Sequence, residues 1–162
     1  MVQVFEAGHD QLYSGRRFRL LTLVDNFIRE SLAIQADQRV TGNDVVQILE
    51  QVTQQRGAHS EKIRVDNDPE FISKSLDWWA YWNRVKLDLS RPGKHTDNAF
   101  IESFNGRLRQ ECLNQHRFLS LEDAQEKLDS WRTDYNECRP HSALSNRTPQ
   151  EFAKFSDQVR PA

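Results

Sequence analysis

At 162 residues, with 37% hydrophobic and 28% charged side chains and a net charge of -2, the chain is long enough to close one core without disulfide or metal staples. No run approaches the roughly 18 apolar residues of a membrane span, and the start "MVQVFEAGHDQ" lacks the basic opening and apolar stretch of a signal peptide. A near-neutral balance means that any surface for a polyanion must be a local patch offset by acids elsewhere.

In chain order, "MVQVF" and "RRFRLLTLVDNF" read as strands joined by a turn at Ser14-Gly15, and "SLAIQAD" as a third strand. From Thr41 the period changes: Val45, Val46, Ile48, Leu49 and Val52 recur at helical spacing until Gly57. "KIRV" is the short β-branched run of a strand buried on both faces. "PEFISKSLDWWAYWN" reads as a helix opened by Asp68, Pro69 and Glu70, with Trp78, Trp79 and Trp82 packed in the core, and "VKLDLS" as a fifth strand. Arg91-Pro92-Gly93 breaks the chain, and Thr96 or Asp97 caps the next helix. Ile101, Phe104, Leu108 and Cys112 mark the buried stripe of that helix, over 98–114. Ser120 and Asp123 open a last helix that buries Leu121, Ala124, Leu128, Trp131 and Tyr135 and stops before Pro140.

Strands interleaved with helices give an α/β fold, a mixed five-stranded sheet flanked by helices. The reading is one domain over 1–155, including a C-terminal helix at 121–138, with a peripheral tail at 156–162. Cys112 and Cys138 have neither metal-ligand nor disulfide spacing and are expected to be buried, reduced thiols, in keeping with a cytoplasmic location.

One stretch carries a candidate chemistry. The apolar run "KIRV" ends on "DNDPE", which packs three carboxylates into five positions. Asp68 and Glu70 need do no more than complement a helix dipole. Asp66 instead closes the strand, as a ligand or as a turn-former. After 35 intervening residues, Glu102 opens a polar helix face shared with Asn105, Gly106 and Arg109. Carboxylates aimed at one cleft repel unless a cation lies between them, and Mg²⁺ takes such oxygens together with substrate phosphate. On pattern alone Glu102 is more often a solvated helix residue. Arg84, Lys86, Arg91, Lys94, Arg107 and Arg109 are candidate phosphate contacts or simply a charged surface.

"GRRFRLLTLVDNFIRESLAI", "IRVDNDPEF", "RPGKHTDNAFIESFNGRLRQECLN", "FLSLEDAQEKLDSWRTDYNECRPHSAL" and "TPQEFA", in this order, resemble the catalytic core of bacterial insertion-sequence transposases of the retroviral-integrase type. The resemblance implies an RNase H-like fold and an Asp-Asp-Glu triad holding two Mg²⁺ or Mn²⁺ ions, which cleaves transposon ends and joins them to target DNA. It further implies DNA as partner and a homo-oligomer. Asp66 resembles the second triad acid and Glu102 the third, at the family's separation. The family's first acid lies in a stretch like "W-x-M-D-F-V-x-D-x-L", and aligning its end with Asp10-Gln11-Leu12 puts Glu6 at the catalytic position. Asp10 is the alternative, since positions 6 and 10 share parity on a regular strand. Arg91, Lys94, Asn105, Arg107 and Arg109 are the expected DNA contacts. A chain departing from the pattern at the first acid also admits a second reading, an inactive core that only binds DNA or pairs subunits.

Overall fold

The computed structural model describes residues 1–57, 59–66, 71–89 and 99–159. Five strands, β1 (Val2–Gln11), β2 (Arg17–Asp25), β3 (Ser31–Asp37), β4 (Lys62–Val65) and β5 (Lys86–Leu89), form one sheet in the order β3-β2-β1-β4-β5. β1 runs antiparallel to β2 and parallel to β4, and β4 runs parallel to β5, so the sheet is mixed as expected. The helices are α1 (Gly42–Arg56), α2 (Lys74–Trp82), α3 (Ala99–Glu111), α4 (Leu121–Glu137) and α5 (Pro149–Val159).

Alternation along the central strands divides the apolar residues between the two sheet faces. Val2, Val4, Leu21, Leu23, Ile63 and Val65 lie in a cluster with Val45, Ile48 and Leu49 of α1 and Leu76 and Trp79 of α2. Phe5, Ala7, Phe18, Leu20 and Val24 lie in a second cluster with Ile101, Phe104 and Leu108 of α3 and Ala124, Leu128, Trp131 and Tyr135 of α4. The sheet therefore has an α1/α2 face and an α3/α4 face.

The two layers are fastened differently. The first residue of α1 is glycine because Ser73 lies against it: a Cβ at Gly42 would sit 1.9 Å from Ser73 Oγ. The same Ser73 caps α2, accepting from Leu76 N–H at 3.2 Å. α4 instead reaches the edge strand with amides. Gln125 accepts from Ala36 N–H at 2.9 Å and donates to Ile34 O at 2.7 Å, and Asn136 exchanges two bonds with Ser31. These side chains pair backbone groups of β3 that an edge strand otherwise leaves open.

Several expectations need correction. α2 begins at Lys74, under the Ser73 cap, and not near residue 69; Asp68, Pro69 and Glu70 lie outside the described residues. Of Trp78, Trp79 and Trp82, only Trp79 enters the core. Trp78 and Trp82 are 59% and 72% exposed and stack on each other with centroids 6.5 Å apart. The cause is geometric, because i and i+4 share a face and here that face points to water. Cys112 is buried as expected, and burial pushes its thiol up to about 11. Cys138 is exposed, because it follows the last turn of α4 as the C-cap. Beyond Pro149 the chain forms α5, whose Phe152 meets Phe27 at 5.7 Å between ring centroids and which crosses the boundary drawn at residue 155. The expected loop at Arg91-Pro92-Gly93 and the caps Thr96 and Asp97 fall outside the described residues.

Candidate active site

β4 carries Ile63 and Val65 into the α1/α2 core, so by alternation the next position, Asp66, turns to the α3 side. Its backbone N–H donates to Val4 O at 3.3 Å, which continues the parallel ladder one step past β4 and sets Asp66 level with Phe5. The residue is half-buried and makes further interactions.

α3 lies along this same stretch of β1. Phe104 meets Phe5 edge to face with centroids 6.0 Å apart, and Arg109, further down the helix, donates to Asp10 Oδ2 at 3.1 Å and to His9 O at 2.8 Å. Glu102 sits in the first turn, exposed, towards the end of β1 where Phe5 and Asp66 lie. The next residue on its polar face, Asn105, has a buried Oδ1 with no hydrogen-bond partner among the described residues. Asp66 and the Glu102–Asn105 face are thus carried by two elements that both meet β1, a strand end level with Phe5 and the helix that packs on Phe5 through Phe104.

The β1 acids behave differently from a regular strand. Glu6 stands opposite Leu21 and His9 opposite Arg19, so Ala7 and Gly8 together oppose a single residue of β2. This is a β-bulge, and Gly8 adopts φ +107 there. The extra residue reverses which face later side chains take. Glu6, paired with Leu21 of the α1/α2 cluster, is on that face and is held by Arg19, whose Nε donates to Glu6 Oε1 at 3.0 Å and whose Nη2 also pairs with the carboxylate. Asp10, opposite Phe18 of the other cluster, is on the α3 side. Positions 6 and 10 do not share a face, and at the level of Asp66 the α3 side of β1 is filled by Phe5 and Ala7.

Among the described residues no three acids, histidines or cysteines stand close enough to hold one ion together. The donors present still suit a hard divalent ion, because Mg²⁺ is commonly held by one or two carboxylates with the rest of its shell from water and substrate phosphate. Asp66 and Glu102 are carboxylates of the kind such an ion takes, and Asn105, on the helix face of Glu102, has a buried Oδ1 that a ligand or water would satisfy.

Of the expected DNA contacts, Arg107 and Arg109 lie on α3 and are part-exposed, while Arg91 and Lys94 fall outside the described residues. Arg109 is committed to β1 through Asp10 and His9. Sequence reading did not single out the network at the far end of α3. There Trp131 Nε1 donates to Glu111 Oε2 at 2.9 Å, and Arg139 pairs with the same carboxylate. Burial opposes ionisation of Glu111, but the hydrogen bonds from Arg139 and Trp131 outweigh it and hold the carboxyl below its ordinary value. The signal was present in "YNECRPHSAL", where one Arg and one His flank a proline beyond the helix.

Comparison with known proteins places this geometry. The integrase core domain family matches residues 5–95, and a second integrase core family matches residues 83–149. An uncharacterized 31.7 kDa protein of insertion element IS407 from Burkholderia multivorans is 48% identical over 144 residues, covering 89% of this chain and 52% of that protein. An uncharacterized 39.2 kDa protein of insertion element IS476 from Xanthomonas euvesicatoria is 43% identical over the same length, covering 41% of its own. The chain spans about half the length of these curated relatives. Among solved structures, the HTLV-2 integrase catalytic core domain in complex with magnesium superposes with a TM-score of 0.71 at 18% identity, covering 93% of each chain. That likeness establishes the RNase H-like integrase fold. No helix among the described residues is long and apolar enough to cross a membrane.

Proposed function

The chain belongs to the integrase core domain family, and from that premise we propose that it is the catalytic core of an insertion-sequence transposase, which cleaves and joins DNA phosphodiesters with Mg²⁺ or Mn²⁺ bound at Asp66 and Glu102. What supports this reading is that α3 packs on β1 through Phe104 and Phe5, and that Asp66 continues the parallel ladder level with Phe5. When bound, divalent ions in such a site activate water or a sugar hydroxyl and stabilise the leaving oxygen of an in-line displacement.

The chain's own residues supply the rest. Asp66 and Glu102 provide hard oxygens from two independent elements, a strand end and a helix start, so neither can shift without its element. Asn105 lies one turn after Glu102 and offers an amide to a phosphate or to an ordered water. Arg107, together with Arg91 and Lys94, holds the DNA backbone in a sequence-independent, salt-sensitive way. Arg109 keeps α3 against β1 through Asp10 and His9.

Two ions, as the resemblance implies, would need a further oxygen donor from β1. Asp10 is the β1 acid on the α3 side, but Arg109, which holds it, is seven residues from Glu102, about 10 Å along a helix. Two transposon ends must also meet, so the active species is proposed to be a homo-oligomer.

The test is Mn²⁺-dependent nicking and strand transfer on DNA bearing the element's ends. Asp66→Ala and Glu102→Ala are each expected to lose at least about 100-fold, in line with removing a group that acts only in the transition state. Undiminished activity in both variants would sink the assignment.

A further inference from the structure

We infer that Arg29, Arg107, Arg139 and His141 form a second oxyanion site, on the side of α3 turned away from Glu102, which takes a backbone phosphate of DNA. The inference deepens the DNA-acting reading above and rests on it.

Phe100, Phe104, Arg107 and Glu111 recur at i, i+4, i+7 and i+11 and so share one face of α3. Arg107 is about 140° around the helix from Glu102 at 100° per residue. On this face a chain of rings leads outward from the core: Phe100 to Phe104 at 6.3 Å, Phe104 to Tyr135 at 5.2 Å, and Tyr135 to His141 at 5.0 Å between centroids. Cations gather along it. The Arg29 guanidinium, from the β2–β3 turn, lies over the Phe100 ring at 4.3 Å, on a backbone with φ +61. Arg107 comes from α3 itself, and Arg139 stands two residues before His141.

Charge is not balanced within this group. Arg139 is paired with Glu111 and, at 3.6 Å, with Asp134. Glu111 is already shared with Trp131. Among the described residues, neither Arg29 nor Arg107 has an acid within ion-pair distance. His141 Nε2 is buried and has no hydrogen-bond partner among them. A buried imidazole nitrogen left unpaired is destabilising, and a protein carries such a cost most readily where a ligand relieves it.

The charged and titratable groups around His141 are Arg29 from the turn, Arg107 and Glu111 from α3, Asp134 and Tyr135 from α4, and Arg139 beside it. Burial chiefly, and then Arg107, Arg139 and Arg29, hold its imidazole below the ordinary value. Burial likewise pushes the Tyr135 phenol up to about 12, so it stays neutral. An oxyanion here would accept from the two unpaired guanidiniums, which match phosphate in a forked geometry, and from Nε2–H of the imidazole. It would also offset the repulsion that disfavours the imidazolium, so binding takes up a proton at His141. Affinity then rises as pH falls through the imidazole range.

The experiment tracks the His141 side chain by NMR in the full chain, in EDTA, across pH 5 to 8, alone, with inorganic phosphate, and with short duplex DNA. DNA is expected to raise the His141 pKa by about one unit, with a smaller or no effect of millimolar phosphate. Arg29→Gln and His141→Gln are each expected to weaken DNA binding about 3- to 10-fold, and Arg29→Gln to lower the salt slope by about one. A response to phosphate but not to DNA overturns the DNA assignment. No response to either overturns the site, whether or not the variants fold, because the titration uses the unaltered chain. Nicking that persists while His141 is silent refutes this site alone; a responsive His141 without nicking refutes only the metal-dependent reading.

Discussion

β4 and β1 lie side by side in one parallel ladder, yet they present their acids in opposite ways. β4 is four regular residues long, and its alternation carries straight through to Asp66 on the α3 side. β1 is ten residues long and contains a bulge, so alternation holds only within each half: Val4 and Glu6 take one face, Asp10 the other. A short regular strand delivers the side chain that parity dictates, whereas a bulge re-aims everything beyond it. Phe5 and Ala7, not an acid, therefore stand beside Asp66 on the active side.

The largest test of that contrast is Phe104→Ala. Phe104 is fully buried and touches the rings of Phe5, Phe100, Trp131 and Tyr135, so its removal opens a cavity between β1 and both helices of the layer. A loss of about 3–5 kcal/mol is expected, a large part of the roughly 5–15 kcal/mol of a typical domain, read by denaturant midpoint. A loss under about 1 kcal/mol would mean that α3 does not rest on Phe5, and that the apolar filling beside Asp66 is not fixed.

Next in size is the comparison of Glu6→Gln with Asp66→Asn, monitored by Mn²⁺ titration calorimetry. Glu6→Gln removes a part-buried ion pair with Arg19 and is expected to cost about 1–2 kcal/mol of stability, with Mn²⁺ affinity unchanged. Asp66→Asn is expected to weaken Mn²⁺ binding on the order of 10-fold or more. Equal loss of metal affinity in the two variants would show that β1 turns Glu6 to the α3 side, and the contrast between the strands would fall.

Much of this architecture was legible in the sequence because it is dictated by period. The five strands form where the pattern put them, and the α3 stripe at Ile101, Phe104, Leu108 and Cys112 and the α4 stripe at Ala124, Leu128, Trp131 and Tyr135 are buried where spacing put them. Ser120 caps α4 as its sequence announced, accepting from Asp123 N–H at 3.0 Å. Asp66 could be read because it ends an apolar run. Glu6 and Asp10 could not be told apart, because the face each takes depends on a bulge, and one glycine in a strand does not state how many residues its partner strand will oppose. The exposed side of α2 was misread for a related reason: "WWAYW" is apolar all round, so period cannot choose which ring is left in water. The cluster at Arg29, Arg107, Arg139 and His141 joins a turn, a helix and a loop, its ends more than a hundred residues apart, and only the tertiary fold brings them together.

The finest probe of the contrast is the bulge itself. Gly8 holds φ +107, a conformation that L side chains rarely adopt, although a Cβ there would meet nothing closer than Arg109 Nη2 at 3.5 Å. Space is therefore not the obstacle; backbone conformation is. Gly8→Ala is expected to cost about 1 kcal/mol if the bulge persists under strain, with the Arg109 bonds to Asp10 and His9 retained. If β1 instead relieves the strain by becoming regular, Asp10 leaves the α3 side and Arg109 loses its partner. The two outcomes differ in the Asp10 carboxyl resonance, which senses Arg109 only in the first. A stability gain in Gly8→Ala would show that the strand has no bulge to protect.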